Sequence, residues 1–100
     1  MPPFEDHVRR ALDGLPAEIA GALENVAVVI EEEHPEDPDL FGLFEQEPYL
    51  PAKVTIYRVA LVETFDDPDE LEHEIRVTVL HELAHYFGID EGRLDELGYG

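Results

Sequence analysis

His81, Glu82 and His85 are spaced H-E-x-x-H in a chain of 100 residues. Two histidines four apart on a helix lie one above the other on one face, with Cβ atoms about 5–6 Å apart. That spacing suits two imidazole nitrogens, each about 2.0–2.1 Å from one zinc ion. Glu82 follows His81 and is turned about 100° around the helix. It points beside the metal, where it can touch a zinc-bound water without being a ligand, the geometry of a general base. The chemistry open to such a set is metal-assisted hydrolysis. The plainer alternative is two helix histidines and an acid with no metal. The apolar neighbours Leu80, Leu83 and Ala84 speak against it, because they draw the pair off a fully wet face.

A catalytic zinc usually has three protein ligands and one open position. The chain has no cysteine, so His, Asp or Glu must supply the third. Residues 86–100 are all that follow His85, and the local candidates are Asp90, Glu91, Asp95 and Glu96. Gly88 lets the chain turn back sharply. In H-E-x-x-H-x-x-G-x-x-H sites the third ligand falls three residues after the glycine, and that position is Glu91. Asp90 ranks second because it also suits the cap of a following helix. Asp95 is a candidate acceptor for a histidine Nδ1–H. Each of these acids could equally be an ordinary surface carboxylate.

These residues need a helix to hold them. Asp67 is a good N-cap, Pro68 a good first position, and Asp69, Glu70 and Glu72 suit the positive end of the dipole. Leu71, Ile75, Val79, Leu83 and Tyr86 recur at helical spacing and are expected to face the core. The helix is expected to end at Gly88, with a short one following over 91–97. His73, on the same helix, reads as a structural histidine.

Upstream, residues 4–15 read as an amphipathic helix with Glu5/Arg9 and Asp6/Arg10 as i,i+4 pairs. A second short helix is expected over 16–23, with Pro16 at its first position. Residues 26–31 are a β-branched run and a buried strand. The acids and prolines of 32–39 form an exposed loop in which His34 reads as a solvated histidine before a metal ligand. Residues 40–46 suit an edge strand. Lys53 to Arg58 alternates polar and apolar as a strand, and residues 59–62 continue as a loop or short helix.

Length fits one domain spanning residues 1–100. The 25 Asp and Glu against 6 Lys and Arg give a net charge of −19. That charge repels phosphate and argues against nucleic acid as a partner. It reads first as a solubility device, and second as attraction for basic peptides. No apolar run approaches the roughly 20 residues of a membrane span. The first residues lack the basic and apolar regions of a signal peptide, so the expected compartment is the cytoplasm.

Several stretches together resemble a family of small bacterial zinc metallopeptidases with a minimal zincin-like fold. They are residues 40–45 (LFGLFE), 50–57 (LPAKVTIY), 79–89 (VLHELAHYFGI) and 93–98 (RLDELG). The family carries Asp where this chain has Glu91. The resemblance implies an α+β fold with a three- or four-stranded sheet packed on the active helix. It implies Zn2+ on His81 and His85, with Glu82 as base. The expected function is peptide-bond hydrolysis of a peptide or protein substrate. The alternative is a non-catalytic zinc-binding interaction module that keeps the site. Tyr57, Arg93 and Tyr99 are candidates for steadying an oxyanion, although packing or surface roles suit each of them better.

Overall fold

The computed structural model describes residues 3–88 and 91–96, apart from the side chains of His85 and Glu91. Two helices come first, α1 (Phe4–Asp13) and α2 (Ala17–Ala22), followed by a single 3-10 turn at Leu23–Asn25. The strands are β1 (Val26–Glu31), β2 (Gly42–Glu45) and β3 (Ala52–Tyr57). Then come α3 (Arg58–Thr64), α4 (Pro68–Phe87) and α5 (Glu91–Glu96). The expected loop or short helix after β3 is thus a helix, and Pro16 caps α2 from just outside it.

The sheet has the order β1-β3-β2, with β1 parallel and β2 antiparallel to β3. It has three strands among the described residues, the lower of the two expected numbers. β3 is therefore central, and Val54, Thr55, Ile56 and Tyr57 are all buried. The alternation does not sort the strand into a wet and a dry face: Thr55 and Tyr57 are buried along with Val54 and Ile56. β2 is an edge strand, which leaves half of its backbone groups unpaired by the sheet.

α4 runs through the middle of the core. Leu71, Ile75, Val79, Leu80 and Leu83 on it are essentially inaccessible to solvent. Burying such a side chain is worth about 1.5–3 kcal/mol, so this stripe fixes the helix firmly. Its ends follow local rules. Asp67 Oδ2 accepts from the Glu70 amide at 2.9 Å, Pro68 opens the first turn, and Gly88 closes the last in the left-handed region at φ 69°. Tyr86 corrects the expected stripe. It is 43% exposed and stacks on Phe44 of β2 at a centroid distance of 4.8 Å. Its place at the end of the helix overhangs the sheet edge, so its ring finds a partner there and not in the core.

α1 backs onto α4. The buried His7 ring meets Glu72 through Nδ1 at 2.7 Å, and Arg10 approaches the same carboxylate at 3.7 Å. The α1 arginines thus pair otherwise than expected: Arg10 turns to Glu72, and Arg9 pairs with Asp6 at 3.0 Å in place of Glu5. A half-buried carboxylate beside a buried imidazole offers a guanidinium more than a solvated neighbour does. No helix among the described residues is long and apolar enough to cross a membrane.

Candidate active site

The site lies where α4 passes the edge strand β2. The two elements come unusually close because Gly42 has no side chain: a Cβ there would fall 2.5 Å from Thr78 Cγ2. Thr78 is one helical turn before Glu82, so this contact brings the motif up against the strand. At that point the Phe44 amide donates a hydrogen bond to Glu82 Oε1 at 3.0 Å.

Phe44 can do this because of its place in the ladder. The Phe41 carbonyl accepts from the Tyr57 amide at 2.9 Å, so Phe41 turns its backbone groups toward β3. Alternate residues of an antiparallel strand face opposite sides. Gly42 and Phe44 therefore turn theirs outward. The Phe44 amide has no strand to pair with and takes the Glu82 carboxylate.

A cleft of about 480 Å³ opens beside this junction. Asp37, Asp39 and the segment from Leu40 to Gly42 form one wall; Glu74, Thr78, His81 and Glu82 contribute to the other. Asp37, Asp39, Glu74 and Glu82 are acids, and no Lys or Arg is among the lining residues described. The cleft thus has a field that attracts cations.

His81 is exposed at this wall, while its neighbours Leu80, Leu83 and Ala84 are buried. The motif straddles the boundary between core and cleft. The backbone of His85 lies one turn further along α4 and that of Glu91 opens α5. The side chains of His85 and Glu91, and the whole of Asp90, lie outside the described residues. No group of three or more His, Asp or Glu side chains suited to a metal comes together among the described residues, two of the expected ligands being outside them.

The other candidates are dispersed. Asp95 is exposed on α5. Glu96 pairs with Arg93 at 3.1 Å, and Arg93 also reaches Glu18 of α2, so this arginine fastens α5 to the first half of the chain. Tyr57 is buried and meets His34 edge-on at 5.7 Å, away from the described cleft lining. Burial, with Glu31 and Glu45 adding their charge, raises its phenol above the ordinary value of 10. Tyr99 lies outside the described residues.

His34 is more than a solvated loop histidine. Its Nδ1 accepts from the amides of Glu36 and Asp37 at 3.1 and 3.2 Å. The ring thereby shapes the loop that supplies a cleft wall, and the Nδ1 lone pair is already in use. Two further contributors escaped the sequence reading. Gly42 carried a usable signal, since glycine inside a strand often marks a close approach. The Phe44 amide carried none.

A mixed sheet with an open edge, beside a buried helix bearing H-E-x-x-H at a cleft, defines a zincin-like α+β scaffold. The family model described as "Zincin-like metallopeptidase" matches residues 23–100, and the chain belongs to that family. The match takes in the whole sheet and α3 to α5, and α1 and α2 precede it. Among curated proteins none matches the chain.

Proposed function

We propose that this protein hydrolyses peptide bonds, with zinc held by His81, His85 and Glu91 and with Glu82 as the general base. One observation carries the reading. The Glu82 carboxylate lies at the meeting point of the motif helix, the edge strand and the cleft, 3.0 Å from the Phe44 amide. A peptide laid along β2 reaches the base directly.

The residues suit the metal. A cysteine-free set of two imidazoles and a carboxylate is an ordinary zinc donor set, and the acid-lined cleft favours a divalent cation over an anion. When bound, zinc supplies Lewis acidity, which polarises a carbonyl oxygen and makes water a stronger acid. The rest falls to the chain itself. Glu82 takes a proton from the attacking water and passes it to the departing amine nitrogen. The outward carbonyls of Gly42 and Phe44 accept from the amides of an extended substrate, which adds to the sheet as a further strand. The acidic walls repel phosphate, which argues against a nucleic-acid substrate and is compatible with a peptide.

Two measurements test this reading. Metal analysis should find about one zinc per chain, lost in His81→Ala; equal uptake by both proteins rejects the metal site. Digestion of a peptide library by zinc-loaded protein should fall by about a hundredfold or more in Glu82→Gln. Zinc uptake without Glu82-dependent cleavage points to the non-catalytic module instead.

A further inference from the structure

The Phe44–Glu82 hydrogen bond joins the base to a strand 38 residues away in sequence, and it suggests a division of labour along β2. We propose that the Phe44 amide is a positioning group for Glu82: the edge strand fixes the direction of the carboxylate instead of offering that amide to substrate. The inference rests on the peptidase reading of the cleft, and it adds a role for the edge strand that strand addition alone does not contain.

Three features lead here. First, a glutamate side chain has three rotatable bonds and is floppy on an open helix face. Glu82 is only half-buried, so packing alone does not hold it. A hydrogen bond from a backbone amide to an ionised carboxylate is charge-assisted and strong for its kind, and it settles the rotamer. Second, the donor is itself rigid. Phe44 is paired with Val54 through the sheet register, and its ring rests on Tyr86 at a centroid distance of 4.8 Å. Third, the spacing between the two elements is set by Gly42 against Thr78, so donor and acceptor belong to one stiff unit. Oε1 is directed at the strand, which leaves Oε2 as the oxygen available to receive a proton in the cleft. An extended substrate then has the remaining outward groups of Gly42 and Phe44 for its own hydrogen bonds.

The clean perturbation replaces Phe44 by 3-phenyllactate, its α-hydroxy acid, in a semisynthetic chain. This exchanges one N–H for an oxygen and keeps the ring. Because that N–H faces away from β3, the ladder keeps all its donors. The Leu43 carbonyl, opposite Thr55, becomes an ester's weaker acceptor, and a urea midpoint near that of the all-amide chain checks that the sheet holds. The same semisynthetic chain carrying the native Phe44 amide is the control. Hydrogen exchange of the Phe44 amide comes first and needs neither metal nor activity. An outward edge-strand amide exchanges fast unless something accepts from it, so Glu82→Ala should speed its exchange by about tenfold or more. Equal rates in wild type and Glu82→Ala mean that the bond is absent in solution and overturn the proposal.

Kinetics on the zinc-loaded proteins then follow, with an internally quenched peptide that the wild type cuts. The ester should lower kcat by about tenfold at nearly unchanged KM, as expected when orientation of a base is lost, while the semisynthetic chain with the native amide keeps the wild-type kcat. Zinc titration should show the ester binding metal as the wild type does. A raised KM with kcat intact assigns the amide to substrate binding and overturns the positioning role, as does unchanged kinetics in the ester. A wild type that cuts no peptide rejects the peptidase reading, a failure distinct from that of an active enzyme indifferent to the ester.

Discussion

Gly42 and Thr78 meet so closely that there is no room for a methyl group between them. A Cβ on the glycine would lie 2.5 Å from Thr78 Cγ2 and 3.2 Å from the Thr55 carbonyl oxygen. The strand and the motif helix are held at this distance by the absence of a side chain. Gly42→Ala should therefore destabilise the protein by about 1–3 kcal/mol, the usual range for overpacking. Thr78→Ser removes the offending methyl and keeps the hydroxyl that donates to the Glu74 carbonyl at 2.8 Å. The double variant should recover part of the loss, which urea denaturation of all four proteins measures as a double-mutant cycle. Additivity within about 0.5 kcal/mol would show that the two residues do not press on each other.

How much of this was legible in the sequence depends on whether the cause was local. Helix α4 was readable at both ends because its caps are local: Asp67 and Pro68 start it, and Gly88 ends it. Leu71, Ile75, Val79 and Leu83 were readable because core-facing residues on a helix repeat with its turn. Tyr86 obeyed the same period and escaped the core, since only the tertiary position of β2 decides what lies beyond the end of the helix. The pairing of Arg10 with Glu72 was likewise hidden, because it depends on α1 lying against α4. In the site, the motif pattern located Glu82, but its partner is a main-chain amide. Every non-proline residue has one, so no residue type could point to Phe44. Which amides remain unpaired is known only once the strand order makes β2 an edge.

The corner between β1 and α3 carries a pH signature. Arg58, the first residue of α3, forms a two-pronged pair with Glu32 just after β1, with Nε 2.8 Å from Oε1. The hydrogen bond and charge of Arg58 hold the Glu32 carboxyl below its ordinary value of 4.5. Between the lowered folded value and 4.5 the unfolded chain binds more protons than the folded one. Stability in that window therefore rises with pH. The contribution is fully present above about pH 4.5 and is lost as pH falls through the folded value. The pair is exposed, so added salt should weaken it. Urea midpoints should place wild type above Glu32→Gln near neutrality and bring the two together in acid. A gap that widens in acid would reject the pair as the source.

Gly88 closes α4 at φ 69°, and a Cβ built on it would meet nothing within 4 Å. Any penalty for a side chain there is backbone strain and not a clash. Gly88→Ala should lower stability by about 1–2 kcal/mol, the cost of the left-handed region for an L-residue. Gly88→Asn should lose less, since asparagine tolerates that conformation. The ordering wild type, Asn, Ala in thermal midpoint is the check. If the alanine variant melts with the wild type, the chain does not leave α4 through a left-handed turn in solution. The same residue lies between His85 and Glu91, the two proposed ligands on either side of the turn. Zinc affinity measured against a chelator should follow the same ordering, because strain at the turn is relieved by moving Glu91 relative to α4. Affinity that stays constant while stability falls would uncouple the turn from the metal and count against Glu91 as a ligand.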